Sequence, residues 1–189
     1  KAAPDLKEFL QVGHVRTTDA AYYTSEGGRR HFSPNIRPAG STTLKEAAIT
    51  YYEAMSELII VLMRLAALAL DMEEHYFDDK VDRSIGAMRL NYYPTQTERP
   101  RQHQLRASAH TDYGGFTILS GEYTAGGLQV RGREGHWIEV KTTRDVFVVN
   151  IGDLLMRWTN ARWLSNLHRV INPKDGDSGG SRLSIAFFN

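Results

Sequence analysis

Apolar residues recur at steps of three and four between Thr43 and Leu70, and from Ile85 onward they give way to short β-branched and aromatic runs broken by Gly, Pro, Asn and Asp. The first pattern predicts one long amphipathic helix, because a 3.6-residue repeat stacks such positions on one face. Tyr51, Met55, Leu58, Leu62, Leu65 and Ala69 form its expected buried stripe, and Thr43 with Glu46 has the spacing of a capping box. The second pattern predicts roughly eight strands, at 86–93, 105–111, 115–119, 127–131, 136–140, 145–149, 164–171 and 181–188. Gly126-Gly127 and Asn150-Ile151-Gly152-Asp153 read as tight turns, and 173–181 as a loop. Residues 1–40 have no steady period and read as irregular. A helix followed by this many short strands predicts a mainly β fold with flanking helices, a double-stranded β-helix (jelly roll) buttressed by the long helix. One domain over 1–189 is expected, with 1–84 as irregular and helical support and 85–189 as the jelly-roll core.

Composition narrows the chemistry. A net charge of +1 with scattered Lys and Arg lacks the concentrated basic patch of a nucleic-acid partner, so a small-molecule substrate is expected and no obligate protein partner is evident. With no cysteine, any metal must be held by His, Asp or Glu, and a cytoplasmic location is favoured. The most apolar stretch, Leu58 to Leu70, contains Arg64 and falls short of the roughly 20 residues of a membrane span.

Three residues stand out as candidate metal ligands. His110 and Asp112 are two apart, so on a strand they would leave the same face, and His168 would complete a two-histidine, one-carboxylate triad. That triad leaves adjacent positions open and is characteristic of non-haem Fe(II) oxygenases. Fourteen residues beyond His168, Arg182 and Ser184 share a strand face, where a guanidinium fork and a hydroxyl suit one carboxylate. Ala186 and Phe188 continue that face. By the same alternation Arg89, Asn91 and Tyr93 would line the pocket, and Arg106 would point inward with Ser108, His110 and Asp112. Arg89, Arg106, Phe116, Leu128 and Phe188 are the candidate substrate contacts, with Val130 beside them. His14, His31, His75, His103 and His136 have no partner at ligand spacing and read as surface or core histidines.

These motifs together resemble the isopenicillin N synthase-like group of Fe(II)- and 2-oxoglutarate-dependent dioxygenases. Asn91-Tyr92-Tyr93-Pro94 is similar to that group's N-Y-Y-P strand, and Ala109 to Leu119 to its first metal motif. Gly127 to Val130, Val149 to Asp153, Arg157 to Asn160, His168 to Pro173 and Arg182 to Ser184 follow in the family's order. The resemblance covers most of residues 44–189 and implies that segments corresponding to the family's N-terminal portion and C-terminal helix lie outside this chain. It implies that His110, Asp112 and His168 bind Fe(II), that Arg182 and Ser184 hold the distal carboxylate of 2-oxoglutarate, and that Tyr93 and Asn91 help to hold this cosubstrate. O2 would then be consumed, 2-oxoglutarate would yield succinate, and a C–H bond of the substrate would be hydroxylated, desaturated or drawn into a ring.

Two rival readings use the same residues differently. Isopenicillin N synthase itself and the aminocyclopropane carboxylate oxidases keep R-x-S for another carboxylate, so a 2-oxoglutarate-independent oxidase or oxidative cyclase is the alternative. A non-catalytic jelly-roll binding protein is the other, and it would be expected to have lost a ligand or the clamp arginine.

Overall fold

Period-two alternation is realised as strands almost wherever the sequence predicts it. The computed structural model describes residues 3–15, 21–36, 38–122, 127–143, 145–174 and 180–189. Its strands are β1 (Glu8–Val12), β2 (Ala87–Tyr93), β3 (Ala107–His110), β4 (Phe116–Gly121), β5 (Leu128–Arg131), β6 (Trp137–Val140), β7 (Val148–Ile151), β8 (His168–Val170) and β9 (Arg182–Phe188). They form a five-stranded sheet in the order β1-β2-β9-β4-β7 and a four-stranded sheet in the order β3-β8-β5-β6. Neighbours far apart in sequence, such as β3 beside β8 and β4 beside β9, are the crossovers of a jelly roll.

The chain divides into two compact units, one of Lys1–Leu10 with Arg89–Phe188 and one of Gln11–Met88 with Asn189. In the first, matched registers build the core between the sheets. Ala107 pairs with Val170, Val170 with Leu128 and Leu128 with Val140, giving one apolar row across the smaller sheet. Ala107, Val170 and Leu128 cluster with Tyr93, and Leu119, Val140 and Val148 pack against them. Each sheet therefore turns one alternate set of side chains inward, where burial of apolar surface contributes roughly 25 cal/mol per Å².

The second unit is helical. The helices of the chain are α1 (Ala21–Thr24), α2 (Glu26–His31), α3 (Thr42–Ala69), α4 (Asp78–Val81) and, in the β-rich unit, α5 (Asp153–Trp158). The long helix is where it is expected, but two of its details differ. Its buried face is Tyr52, Met55, Ile59, Met63, Ala66 and Ala67, whereas Leu65 from the expected stripe is 57% exposed. Residues 58–63 are consecutively apolar, so periodicity alone does not distinguish one face from its neighbour. The helix starts after Ser41 with no side-chain cap, in place of the expected Thr43–Glu46 box, and Ser41 Oγ donates to Pro38 O. Residues 1–40, expected to be irregular, contain β1, α1 and α2, and the segment after Gly152 is a helix. The Gly126 turn residue and the middle of the 173–181 loop lie outside the described residues. Among those residues no helix is long and apolar enough to cross a membrane.

Arg64 of α3 grips Asp78 with two hydrogen bonds, Nε–Oδ1 at 3.1 Å and Nη2–Oδ2 at 2.7 Å. His75 Nδ1 adds a third contact at 3.0 Å. The Arg64 fork, with His75, holds the Asp78 carboxyl down to about 2 from an ordinary 3.8. A depressed carboxylate favours the folded state above the ordinary pKa, and the advantage is lost as pH falls toward the folded value. An NMR titration of Asp78 checks this: Arg64→Met is expected to return its midpoint toward 3.8, and an unmoved midpoint would show that the pair does not form.

Candidate active site

Antiparallel pairing of β3 with β8 sets His110 opposite His168, with an irregularity in register between Ala107 and His110. The rings lie 4.4 Å apart between centroids. Strand β3 ends at His110, so Asp112 reaches the same point from the following bend rather than by strand alternation. The phase expected for 106–112 holds for His110 and Asp112 and is corrected at Arg106 and Ser108. Ser108 turns away to Asp5, and Arg106 is fully buried outside the cavity wall, its Nη2 donating to Gly180 O at 2.8 Å.

One potential ligand atom from each of His110, Asp112 and His168 falls within 4.8 Å of the others. His110 Nε2 is 4.0 Å from Asp112 Oδ1, and His168 Nε2 is 3.9 Å from Asp112 Oδ2. The remaining ring nitrogens are committed. His110 Nδ1 is 2.7 Å from Ser108 O and His168 Nδ1 is 2.8 Å from Asn166 O. A carbonyl only accepts, so each Nδ1 carries the proton and each Nε2 presents a lone pair to the cluster. Partial burial pushes the His110 imidazole below its ordinary 6.5, and the neighbouring His168 and Lys7 act in the same direction against the favourable Ser108 carbonyl and Asp112. Two lone pairs and a carboxylate converging without a donor between them form a cation site, and this donor set suits Fe(II).

The carboxylate is fixed by a cross-strand pair. Thr117 of β4 and Asn150 of β7 are directly opposed, and both donate to Asp112 Oδ2, at 2.7 and 2.8 Å. Backbone bonds fasten the bend itself: Asp153 N donates to Asp112 O at 2.7 Å and Gly152 N to Gly115 O at 2.8 Å. At Gly152 an added Cβ would lie 2.2 Å from Gly114 O, so only glycine admits this approach. Asn166 joins the same support, since its Oδ1 accepts from Ile151 N at 3.0 Å while its own N–H donates to Ile151 O at 3.1 Å.

The three cluster residues open into a cavity of about 280 Å³. Arg89, Asn91 and Tyr93 from β2 and Arg182, Ser184, Ala186 and Phe188 from β9 all line it, as do Leu128 and Val130. Phe116 does not: Thr117 and Leu119 face the cavity, so the alternate positions Phe116 and Ile118 turn to the other side of the sheet. Arg182 is 1% exposed and Ser184 3%. Arg182 Nε and Ser184 Oγ are buried with no hydrogen-bond partner among the described residues. Tyr93 stands beside this end, with its ring 5.2 Å from the Arg182 guanidinium carbon. Gly121, paired with Ser184, leaves the space, since a Cβ there would sit 3.4 Å from Arg182 Nη2. Burial lowers the pKa of Arg182, and of Arg106, which also feels the charge of Arg182. Buried polar groups are normally paired, so two unsatisfied groups on one cavity face mark where a carboxylate fits.

The model of the 2OG-Fe(II) oxygenase superfamily matches residues 84–189, more than half of the chain. The chain belongs to that superfamily. Within it, the chain is 37% identical over 98% of its length to the 2-oxoglutarate-Fe(II) type oxidoreductase hxnY of Emericella nidulans, covering 53% of that protein. It is 33% identical, with a TM-score of 0.83, to a full-length Neurospora crassa protein solved with alpha-KG (2-oxoglutarate) and thymine, covering 99% of this chain and 54% of that one. A putative 2OG-Fe(II) oxygenase family protein from Caulobacter crescentus superposes with a TM-score of 0.84 at 30% identity, over 100% of this chain and 58% of that one. The chain thus spans about half the length of the curated relatives it matches.

Several functional positions were not read from the sequence. Asn150 reaches Asp112 across 38 residues, whereas Thr117 stands five residues after Asp112 and Asn166 two before His168. Lys7, which lines the cavity, comes from a segment whose sequence carries no signal. Loss of the Asp112 cradle is expected to weaken metal binding: Asn150→Ala and Thr117→Val should each lower Fe(II) affinity by about 10–100-fold in anaerobic titration. Full affinity in both would show that the carboxylate does not depend on them. Gly152→Ala is expected to act in the same direction through the displaced Gly114 carbonyl, and unaltered Fe(II) affinity would show that the bend tolerates the added methyl group.

Proposed function

We propose that this protein is a non-haem Fe(II), 2-oxoglutarate-dependent oxygenase acting on a small molecule. One observation carries the reading: a two-histidine, one-carboxylate cluster shares a cavity with a buried arginine and serine whose Nε and Oγ atoms lack hydrogen-bond partners among the described residues. On this reading His110, Asp112 and His168 hold Fe(II), and Arg182 with Ser184 takes the distal carboxylate of 2-oxoglutarate, with Tyr93 and Asn91 beside it. When bound, the metal and cosubstrate supply an oxidant from O2, with succinate and CO2 as coproducts, able to hydroxylate, desaturate or cyclise a substrate.

The chain's own residues do the rest. The Ser108 and Asn166 carbonyls hold both imidazoles in the tautomer that presents Nε2, so the ligands need no rearrangement. Thr117 and Asn150 orient the carboxylate. Leu119, Leu128, Val148 and Val170 form apolar walls that exclude water from the reacting centre. Arg106, behind Arg182, strengthens the positive field at the cosubstrate end rather than contacting a substrate.

Anaerobic addition of Fe(II) and 2-oxoglutarate is expected to give a metal-to-ligand absorption band. Arg182→Ala should weaken 2-oxoglutarate binding about 30-fold or more, the lower end of the roughly 2–5 kcal/mol cost of truncating a buried charged partner. Unchanged affinity in that variant would sink the clamp assignment. Substrate oxidation without 2-oxoglutarate, or without succinate release, would favour the oxidase alternative.

A further inference from the structure

Strand β8 carries the candidate ligand His168 on a run of only three residues, and its two neighbours hold it unequally. Toward β3 the register is irregular between Ala107 and His110. Toward β5 it is continuous, with Val170 opposite Leu128, Arg169 opposite Gln129 and His168 opposite Val130. His168, Val170, Leu128 and Val130 all line the cavity, so alternation turns Arg169 and Gln129 to the outer face of the sheet. That alternation guards against a slip of one residue, which would turn His168 out of the cavity. It gives no protection against a slip of two, which keeps each side chain on its face while carrying His168 about 7 Å along the sheet. Such a shift exceeds the 4.8 Å within which the three ligand atoms lie.

Arg169 discriminates against that second slip. Its Nε donates to Oε1 of Gln129, the residue opposite it, at 2.9 Å, and its guanidinium carbon lies 4.0 Å from the centroid of the Trp137 ring on β6. Gln129 itself pairs with Glu139, two residues beyond Trp137, so the guanidinium reaches diagonally across β5 and ties three strands together. All three side chains are half-buried, where a cation over an indole face is held more firmly than in open water. After a slip of two, the residue opposite Gln129 would be Leu167 or Ile171. Neither side chain can donate to the carboxamide or place a cation on the indole.

We propose that Arg169 is a positioning residue for the metal site: braced against Gln129 and Trp137 on the outer face, it fixes the register that sets His168 on the cluster inside. The inference rests on the oxygenase reading, which assigns His168 as a ligand, and adds to it a residue on the opposite face of the sheet from the cavity.

The test pairs anaerobic Fe(II) titration of the full chain with cross-strand nuclear Overhauser effects in its metal-free form. Arg169→Met is expected to lower Fe(II) affinity at least tenfold. It should also weaken the effects between the Val130 methyls and the His168 ring and between the Leu128 and Val170 methyls, while those between Leu119 and Val148 of the other sheet persist. Arg169→Lys keeps a cation and a donor without the planar fork, so it should retain more affinity than Arg169→Met. Trp137→Leu should lower affinity in the unsubstituted chain and have less effect in the Arg169→Met background, because the ring acts through the guanidinium. Unchanged Fe(II) affinity in Arg169→Met overturns the proposal, as does lowered affinity with the Val130–His168 contact intact. So do equal effects of Trp137→Leu in the two backgrounds. If Arg169→Met does not fold, Gln129→Leu is measured in its place, with the same outcomes deciding. Full Fe(II) affinity in His168→Ala overturns the ligand assignment itself, and the positioning role falls with it.

Discussion

The pairing of β3 with β8 is the constraint on which the site depends. Strands of four and three residues place His110 opposite His168, and a slip of one residue would turn an imidazole to the opposite face. Pairing this short has little intrinsic hold on its register, so other contacts supply it. Asp5 grips β3 at Ser108, and Asn166 exchanges two hydrogen bonds with Ile151 just before β8. Beyond β8, Asn172 donates to Gln104 O and accepts from Gln96 Nε2. The candidate metal ligands are thus held at both ends of the pairing by side chains outside it.

The cavity and the layer behind it concentrate charge in a way a hydrophobic core would not. Arg106 and Arg182 are 0% and 1% exposed, and burial acts on both against the charged form. Guanidinium remains protonated at neutral pH, and the Arg182 Nε, without a hydrogen-bond partner among the described residues, is the part of that cost a bound carboxylate would relieve. A ligand that binds only the folded state then stabilises it by mass action. The lone pairs of His110 and His168 beside the Asp112 carboxylate form the complementary case, a cluster that favours a cation. Metal and carboxylate sites of opposite demand, built into one cavity, are the physical basis of the oxygenase reading.

Much of this was legible in the sequence, because residue type and spacing carry it. Alternation in β2 and β9 correctly turned Arg89, Asn91 and Tyr93, and Arg182, Ser184, Ala186 and Phe188, to one cavity. Alternation failed at Arg106 and Ser108, where the register of β3 is irregular, while Asp112 meets His110 as expected although the strand ends before it. Phe116 was misplaced by one position of a period-two pattern, and the α3 stripe by one face of a helix apolar on several. What the sequence could not supply was contact between distant segments. Asn150 meets Asp112 across 38 residues through the β4–β7 register, and Lys7 lines the cavity from a segment that Asp5 fastens to Ser108.

X-ray absorption at the iron edge of the anaerobic Fe(II) and 2-oxoglutarate complex tests the central claim most directly. The account predicts one iron per chain in an oxygen and nitrogen shell with the outer scattering of two imidazoles, reduced to one in His168→Ala. A spectrum without imidazole scattering, or one that His168→Ala leaves unchanged, would contradict it.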